Sequence, residues 1–244
     1  MQASKKIFFG VTIVLLLAVG VRFFLIWRER NDAGKVPERQ SSTYKLSEDD
    51  LVSLKHMFQS SLKDAKDLNG KRIWVSAGGQ LNYYPATASH ADYTHEAGLL
   101  LGADPLDVHN FIEQVAPKTG FHRIPTGDKQ VVMLFSKPTE PEKLYGVPVG
   151  YVEQGQYTFY LDEIFFYDDP HVLYKHWPAP VWAAVDKHEV IPGMNERQVQ
   201  LSLGQVSSSG QNTPGDRTVE FNNNGHPIRV TFVHDKATTI TPVN

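Results

Sequence analysis

The sequence predicts an α+β protein in which an N-terminal transmembrane helix precedes a strand-rich globular part. Three observations support this class. A long apolar stretch lies near the N-terminus, short aromatic and β-branched runs fill the middle of the chain, and a helix with clear start and stop signals precedes a final hairpin pattern. With 41% hydrophobic and 11% aromatic residues, the 244-residue chain has the composition of a folded protein.

Charge and cysteine content narrow the possible functions. The formal net charge is −3 at pH 7, whereas proteins that bind nucleic acid usually carry a basic field. We therefore do not expect a nucleic-acid partner. The chain contains no cysteine, which excludes disulfides, thiolate metal sites and a catalytic Cys.

The first apolar segment covers residues 7–27, with Arg22 as its charged residue and two lysines just before it. At about 1.5 Å per residue, a helix of this length spans the roughly 30 Å hydrocarbon layer of a bilayer. The residues around its end, VRFFLIWRER, lack the small-residue pattern of a signal-peptide cleavage site. We therefore predict an uncleaved anchor over residues 1–30 rather than a cleaved signal peptide. Basic residues on both sides leave its orientation open.

A linker and an amphipathic helix are predicted next. Residues 31–46 are polar and lack periodicity, which is typical of a flexible linker. Ser47, followed by three acidic residues, is a helix start signal. Apolar residues then recur at spacings of three and four: Leu51, Leu54, Phe58, Leu62 and Ala65. This pattern predicts a helix ending near Gly70 that packs on the core, although a partner-binding helix would look the same.

Residues 47–168 are predicted to form this helix and an antiparallel, strand-rich domain. Its strand candidates are short runs of aromatic and β-branched residues: RIWVS, QLNYY, AGLLL, QVVMLF, GVPVGYV, YTFYL and EIFFY. The segment PLDVHNFIEQVAP fits a strand or a helix, and its pattern does not decide between them.

Residues 169–244 are predicted to form a C-terminal module of helices and a three-stranded antiparallel sheet. Pro170 and Pro178 each mark a helix start. The last strands are TVEF, IRVTFV and ATTIT, joined by the turns NNNG and HDK. Trp177 and Trp182 could instead serve to pack this module on the middle domain.

One helix in this module has clear boundaries at both ends. Asn195 and Gln198 fit a capping box, and Gly204 tolerates the left-handed conformation that ends a helix. These signals predict a helix over residues 196–203. They also give most of its residues a structural explanation.

The order PGMNERQVQLSLG, polar loop, TVEF, NNNG, IRVTFV, ATTI resembles the SmpA/OmlA family of small bacterial envelope proteins. That family includes a component of the outer-membrane β-barrel assembly machinery. The matching residues are Gly193, Met194, Gln198, Val199, Leu203 and Gly204. The chain departs from the family pattern at Val206, where a proline is common, and at TVEF, where the family strand is rich in aromatic residues. The resemblance covers about a quarter of the chain and supports the fold better than it supports a partner.

The blocks GKRIWVSAGGQLNYYP and AGLLLGADPLDV resemble, more weakly, bacterial SH3-type small barrels. Such domains bind peptides or cell-wall fragments through exposed aromatic residues. The resemblance makes four aromatic residues a candidate binding surface, although they could belong to the core: Trp74, Tyr83, Tyr84 and Tyr93. The polar side of the capped helix adds three further candidates: Glu196, Arg197 and Gln200.

Both resemblances are to envelope proteins, and they decide the orientation that the charge pattern leaves open. They imply a single-pass inner-membrane protein of bacterial origin, with a cytoplasmic N-terminus and a folded part in the periplasm or outside. The expected partner is another envelope protein or cell-wall material, and no cofactor is expected.

The histidine- and aspartate-containing loops offer an alternative function, that of a periplasmic hydrolase or metal-dependent enzyme. His90, Asp92 and His95 lie in one loop and could bind zinc, but they lack the spacing of a helical metal motif. His171 and His176 are five residues apart and would point away from each other on a helix. The chain contains no nucleophile elbow, phosphate loop, HExxH motif or dinucleotide fingerprint. We therefore expect a non-enzymatic binding or scaffold protein.

Overall fold

The structure is a computed structural model, and the residues that it describes are 20–22, 24–28, 47–77, 80–118, 123–209, 213 and 215–243. The chain divides into two compact units, Met1–Ser47 and Glu48–Asn244. Residues 20–22 and 24–28 of the first unit are helical. Most of the predicted anchor over residues 7–27, and the whole linker over residues 31–46, lie outside the described residues. Within the described residues, no helix is long and apolar enough to cross a bilayer.

Eight strands of the described chain form one curled antiparallel sheet in the second unit. They are β1 Arg72–Val75, β2 Asn82–Pro85, β3 Gly98–Leu99, β4 Pro105–Gln114, β5 Lys129–Lys137, β6 Glu140–Glu153, β7 Gln156–Phe159 and β8 Phe165–Phe166. Their order across the sheet is β3-β2-β6-β5-β4-β1-β8, and β7 pairs with β6. Each predicted run overlaps one of these strands. The ambiguous segment PLDVHNFIEQVAP is a strand because β4 pairs with β5 along most of its length.

A second antiparallel sheet contains β9 Val206–Ser209, β10 Thr218–Phe221, β11 Ile228–Val233 and β12 Lys236–Pro242. Its order is β12-β11-β10-β9. The prediction of three strands here was wrong, because β9 has the sequence VSSS with all four residues exposed and so lacks a hydrophobic pattern. The NNNG and HDK turns are confirmed, with positive φ at four residues that make the reversals: Asn223, Asn224, His234 and Asp235.

The described part of the second unit also contains five short α-helices: α1 Leu62–Lys66, α2 Leu161–Ile164, α3 Pro170–Leu173, α4 Ala179–Val185 and α5 Glu196–Leu203. Helix α5 has the predicted bounds, and both hydrogen bonds of the Asn195–Gln198 capping box measure 2.9 Å. Gly204 ends this helix with a φ of 83°. The start of α3 is also as predicted, because the Asp169 carboxylate accepts a hydrogen bond from the His171 N–H at 2.9 Å.

The long amphipathic helix predicted from Ser47 to Gly70 was wrong. Glu48–Leu51 is a 3-10 helix, residues 52–60 have no regular structure, and only α1 is helical after them. The side chains of three residues from the predicted apolar stripe are exposed: Leu51, Leu54 and Phe58. The cause is Asp162, whose carboxylate accepts the backbone N–H groups of Met57 and Phe58 at 3.0 Å each. Those N–H groups are therefore not available for helical bonds, and Phe58 adopts a φ of 50°.

Two large apolar clusters fill the second unit, and we call them core 1 and core 2. Core 1 lies on one face of the eight-stranded sheet and includes Ile73, Val75, Phe111, Met133, Phe135, Val147 and Phe165. Core 2 joins α3, α4, α5 and the four-stranded sheet and includes Phe166, Trp177, Trp182, Val199, Leu203, Phe221 and Phe232. A small third cluster on the other face of the main sheet contains Ala91, Val132 and Leu134.

Strand β1 supplies residues to both large cores, because side chains alternate between the two faces of a strand. Ile73 and Val75 belong to core 1, whereas Trp74 packs against core 2. The neighbouring strand β8 divides in the same way, with Phe165 in core 1 and Phe166 in core 2. Core 2 therefore also takes residues from before the predicted boundary after residue 168. The independence of the two predicted domains stays a prediction.

Replacing Asp162 with alanine should release the segment that follows the 3-10 helix. Hydrogen bonds to a charged acceptor contribute about 1.5–3 kcal/mol each. Amide hydrogen exchange at Met57 and Phe58 should therefore accelerate by about tenfold or more, measured by NMR or mass spectrometry. The exposed Asp168 provides the matched control, since Asp168→Ala should leave exchange at both positions unchanged. Unchanged exchange in Asp162→Ala would mean that other contacts hold the segment.

Candidate functional site

A cavity of about 210 Å³ lies beside strands β2, β5 and β6, and we call it the Arg123 pocket. Its apolar wall consists of Leu81, Leu99, Ile124 and Pro148. Its polar lining consists of Gln80, Asn82, Tyr84, Arg123, Gln130, Gln205 and Asn222. This combination of one apolar wall with a few polar groups is typical of a ligand site.

Two buried glutamines hold the walls of the pocket in place. Gln80 accepts the backbone N–H of Gln205 at 3.0 Å, and its amide N–H group points to the Leu203 carbonyl at 3.4 Å. Gln130 accepts the Tyr93 hydroxyl at 2.8 Å and donates to the Ile124 carbonyl at 2.8 Å. Buried polar groups need such partners, and both amides are already used by the fold.

Three other lining residues present polar groups that the described chain does not use fully. Arg123 donates one N–H to the Gln80 carbonyl and forms no ion pair with any described residue. Neither the Tyr84 hydroxyl nor the Asn222 side-chain amide has a hydrogen-bond partner among the described residues. Burial lowers the pKa of Arg123 and raises that of Tyr84, with the nearby Glu96 charge adding to the latter shift. The pocket therefore offers donors around an apolar wall.

The side chains that line the pocket limit the chemistry that it could perform. Among the described residues that line the pocket there is no Asp, Glu, His, Ser, Thr or Lys. Hydrolysis needs a nucleophile or an activated water together with a general base, and the side chains that usually fill these roles are those six, Cys and Tyr. Tyr84 is of this kind, but burial raises its pKa. Arg123 can stabilise negative charge, but no described lining residue can accept a proton in the neutral pH range.

The predicted aromatic surface divides between the pocket and the core. Tyr84 lines the pocket, and Tyr93 packs edge-on against it with ring centroids 4.9 Å apart while also holding Gln130. Tyr83 is only 6% exposed and belongs to core 1, so its prediction as a surface residue was wrong. Trp74 is half-buried against core 2 and does not line this pocket.

The three candidates on α5 contact other parts of the chain and do not line the Arg123 pocket. Glu196 is half-buried and paired with Arg217, whose Nε lies 3.1 Å from its carboxylate, so its prediction as exposed was wrong. Arg197 is exposed and donates to the backbone carbonyl of Asp49 at 2.9 Å. Gln200 is half-buried.

Asp49 lies beside the start of α5, and its side chain is buried. Its carboxylate accepts hydrogen bonds from His176 Nε2 at 2.5 Å, Trp177 Nε1 at 2.6 Å and Asn195 Nδ2 at 2.7 Å. Burial raises the pKa of Asp49, but the hydrogen bonds from Trp177, His176 and Asn195 outweigh it and hold the pKa below its usual value. This carboxylate fixes the first segment of the second unit to the helices of core 2.

The loop that contains the predicted metal ligands is organised by hydrogen bonds. Asp92 accepts bonds from the Thr94 hydroxyl and pairs with His95 Nδ1 at 2.8 Å. The bond from Thr94, followed by that from His95, lowers the pKa of Asp92 to about 2. His90 is exposed. The described part of the chain contains no group of three or more His, Cys, Asp or Glu side chains that could hold a metal ion, so the zinc alternative gains no support.

The second histidine segment cross-links two helices. His171 Nδ1 lies 2.9 Å from Asp169 and its Nε2 lies 3.0 Å from Asp186, while its ring stacks on Trp182 with centroids 4.0 Å apart. His176 instead contacts Asp49. The two histidines thus have different partners. The helix ends at Leu173, so His176 is not on it and the helical spacing argument does not apply.

Among the described lining residues, sequence reasoning identified only Tyr84, and it missed the polar residues Gln80, Arg123, Gln130 and Asn222. A local signal existed for two of them. Gln130 opens the apolar run QVVMLF, where a polar residue at a buried strand position needs a partner. Arg123 is the one Lys or Arg residue in the short segment FHRIP. Neither signal shows that the two residues face one cavity.

Replacing Asp49 with asparagine should destabilise the second unit in a pH-dependent way. At pH 7 the free energy of unfolding should fall by about 1–3 kcal/mol, and Tm should fall by about 2–4 °C per kcal/mol. Because the folded pKa lies below the reference value of 3.8, the carboxylate stabilises the fold above that pH and loses its effect as pH falls through the folded pKa. The difference in Tm between wild type and Asp49→Asn should therefore shrink below about pH 4.

Thermal unfolding scans between pH 2.5 and 8 would measure this difference, with Asp168→Asn as a control for loss of an exposed carboxylate. A destabilisation that stays constant over the whole range would contradict the assigned role of the Asp49 charge.

Comparisons of the chain with protein families, with curated proteins and with solved structures found no match. The resemblances noted from the sequence therefore stay predictions. The functional argument depends on the chemistry of the Arg123 pocket.

Proposed function

We propose that this chain is a membrane-anchored bacterial envelope protein whose folded part is a non-enzymatic binding module. The Arg123 pocket is its proposed binding site. The observation that carries the proposal is that the fold uses the polar groups of some lining residues and leaves those of others unused. Gln80 and Gln130 are used by the fold, whereas Arg123, Tyr84 and Asn222 present unused polar groups beside an apolar wall.

The location rests on the sequence. An apolar stretch over residues 7–27 has the length of a membrane span, and the SmpA/OmlA-like and SH3-like patterns are those of envelope proteins. In this proposal the N-terminus is cytoplasmic, and the linker over residues 31–46 follows the membrane span on its periplasmic side. The second unit then binds an envelope protein or cell-wall material in the periplasm.

A binding role also accounts for the two tyrosines of the predicted surface. Tyr84 forms part of the pocket wall, and Tyr93 positions Gln130 behind it. Tyrosine is common in binding sites because it adds apolar area and a hydroxyl group with few rotatable bonds. The SH3-like resemblance predicts both tyrosines as binding residues, and both contribute to the pocket or its support.

Site-specific photo-crosslinking in living bacteria tests the binding site. A photoreactive amino acid at Asn82 or Asn222, both exposed at the pocket, should yield covalent adducts with a partner or with cell-wall material. The same amino acid at the exposed positions Lys175 and Glu142, which do not line the pocket, should yield none. Adducts of equal yield at all four positions, or none at the pocket, would refute the assignment.

Reporter fusions test the location. Alkaline phosphatase, which is active only in the periplasm, should be active when fused after residue 46 or after Asn244. A fluorescent protein that matures only in the cytoplasm should be dark at the same positions. The opposite pattern would place the second unit in the cytoplasm and rule out an envelope partner for it.

A further inference from the structure

We propose that the Arg123 pocket recognises the carboxylate of a small ligand that has an apolar substituent beside it, as the C-terminal residue of a peptide does. This inference rests on the proposed function, because it names the chemical class of the ligand for the same site. Charge, apolar contact, size and preorganisation each support it.

Charge selects an anion. Arg123 is the only charged residue among the described residues that line the pocket, and it forms no ion pair within the described chain. An arginine carries five N–H donors, and Arg123 gives one bond to the Gln80 carbonyl. The remaining donors form the planar fork that matches the two oxygens of a carboxylate.

The surroundings of Arg123 favour a carboxylate over a phosphate. A phosphate usually carries close to two charges at neutral pH, whereas the pocket supplies one cation. Glu96 also stands close by, since it accepts a bond from the lining residue Asn82 at 2.7 Å and its charge acts on Tyr84. A second negative charge on the ligand would therefore be repelled without a second cation to offset it.

The apolar wall indicates what stands next to the carboxylate. Leu81 and Ile124 are buried, and they line the pocket together with Leu99 and Pro148. An alkyl side chain on the ligand would cover the apolar surface that these four residues leave open to the pocket, which favours binding. Acetate or formate would leave it unfilled. The Tyr84 hydroxyl and the Asn222 amide remain for the adjoining amide group of a peptide.

The size of the pocket suits the end of a chain. Its volume of about 210 Å³ is below the roughly 300–1,000 Å³ typical of sites that enclose a whole drug-sized ligand. A terminal residue with its carboxylate fits such a space, and the rest of a peptide would extend into solvent. The pocket therefore recognises the terminal residue of a peptide and not the residues before it.

The groups that surround the ligand are held before it arrives. The Gln80 carbonyl fixes one side of the Arg123 guanidinium, and Gln80 is itself fixed by the backbone at Leu203 and Gln205. On the other side Tyr93 fixes Gln130, which binds the Ile124 carbonyl. Preorganisation of this kind reduces the entropy lost on binding.

Titration of the full chain in detergent micelles with two matched probes tests the proposal. The probes are N-acetyl-Ala-Leu with a free carboxylate and the same dipeptide with a C-terminal amide. Because a hydrogen bond to a charged group contributes about 1.5–3 kcal/mol, the acid should bind at least about tenfold more tightly than the amide. Arg123→Gln should abolish this preference, while Lys175→Gln, which removes the same charge outside the pocket, should preserve it.

Arg123→Lys separates charge from geometry. It should keep part of the preference for the acid, because it retains the charge but loses the planar fork. Unchanged Tm in all three variants would show that the fold is intact, and Arg123 is exposed enough for this to be expected. Inorganic phosphate serves as a competitor and should displace the acid only weakly.

Equal affinity for acid and amide, a preference that survives Arg123→Gln, or stronger binding of phosphate would each overturn the proposal. The crosslinking experiment distinguishes this failure from a failure of the proposed function. Adducts at Asn82 and Asn222 without a preference for the acid would leave the pocket as a binding site with another ligand class. Absence of both would refute the two proposals together.

Discussion

The rest of the structure depends on the alternation of side chains along two short paired strands, β1 and β8. Trp74 lies opposite Phe166 and Val75 opposite Phe165, and each pair contributes to a different core. Because successive residues of a strand face opposite sides, a shift of one residue in this pairing would exchange apolar partners between the cores. The eight-stranded sheet and the helical layer are therefore joined by register, and both cores depend on it.

The Arg123 pocket lies where the segment after β1 meets the end of α5. Gln80, which follows β1 closely in the chain, contacts the backbone after α5 through both ends of its amide. That contact requires Gly204, since a Cβ there would lie 1.7 Å from Gln80 Nε2. The glycine that ends the helix thus also makes room for the side chain of Gln80, whose backbone carbonyl accepts a hydrogen bond from Arg123. The PGMNERQVQLSLG segment thus helps to shape the pocket through its last residue, although its capping signals are structural.

Sequence reasoning succeeded where the determinants are local and failed where they are distant. The capping box of α5 involves residues three apart, and the sequence identified it together with the terminal glycine. The helix over residues 47–70 had a convincing apolar spacing, but Asp162, more than 100 residues away, binds the backbone that the helix would need. Tyr83 and Tyr84 are adjacent, and only the pairing of β2 decides that the first is buried. Arg123 lies beside Gln80, 43 positions earlier, only in the folded chain, so the sequence alone does not identify it as a candidate site residue.

Asp49 connects the start of the second unit to residues far along the chain. It lies 127 residues before His176 and 146 before Asn195, yet both donate to its carboxylate. Core 2 also takes Val52, Ala77 and Ala103 from the first half of the second unit. No single cut in the chain therefore separates the two cores with all of their members. The two cores are separate in the folded protein, but no position in the sequence divides them. An exchange of modules with another protein would therefore have to carry three separate segments at once.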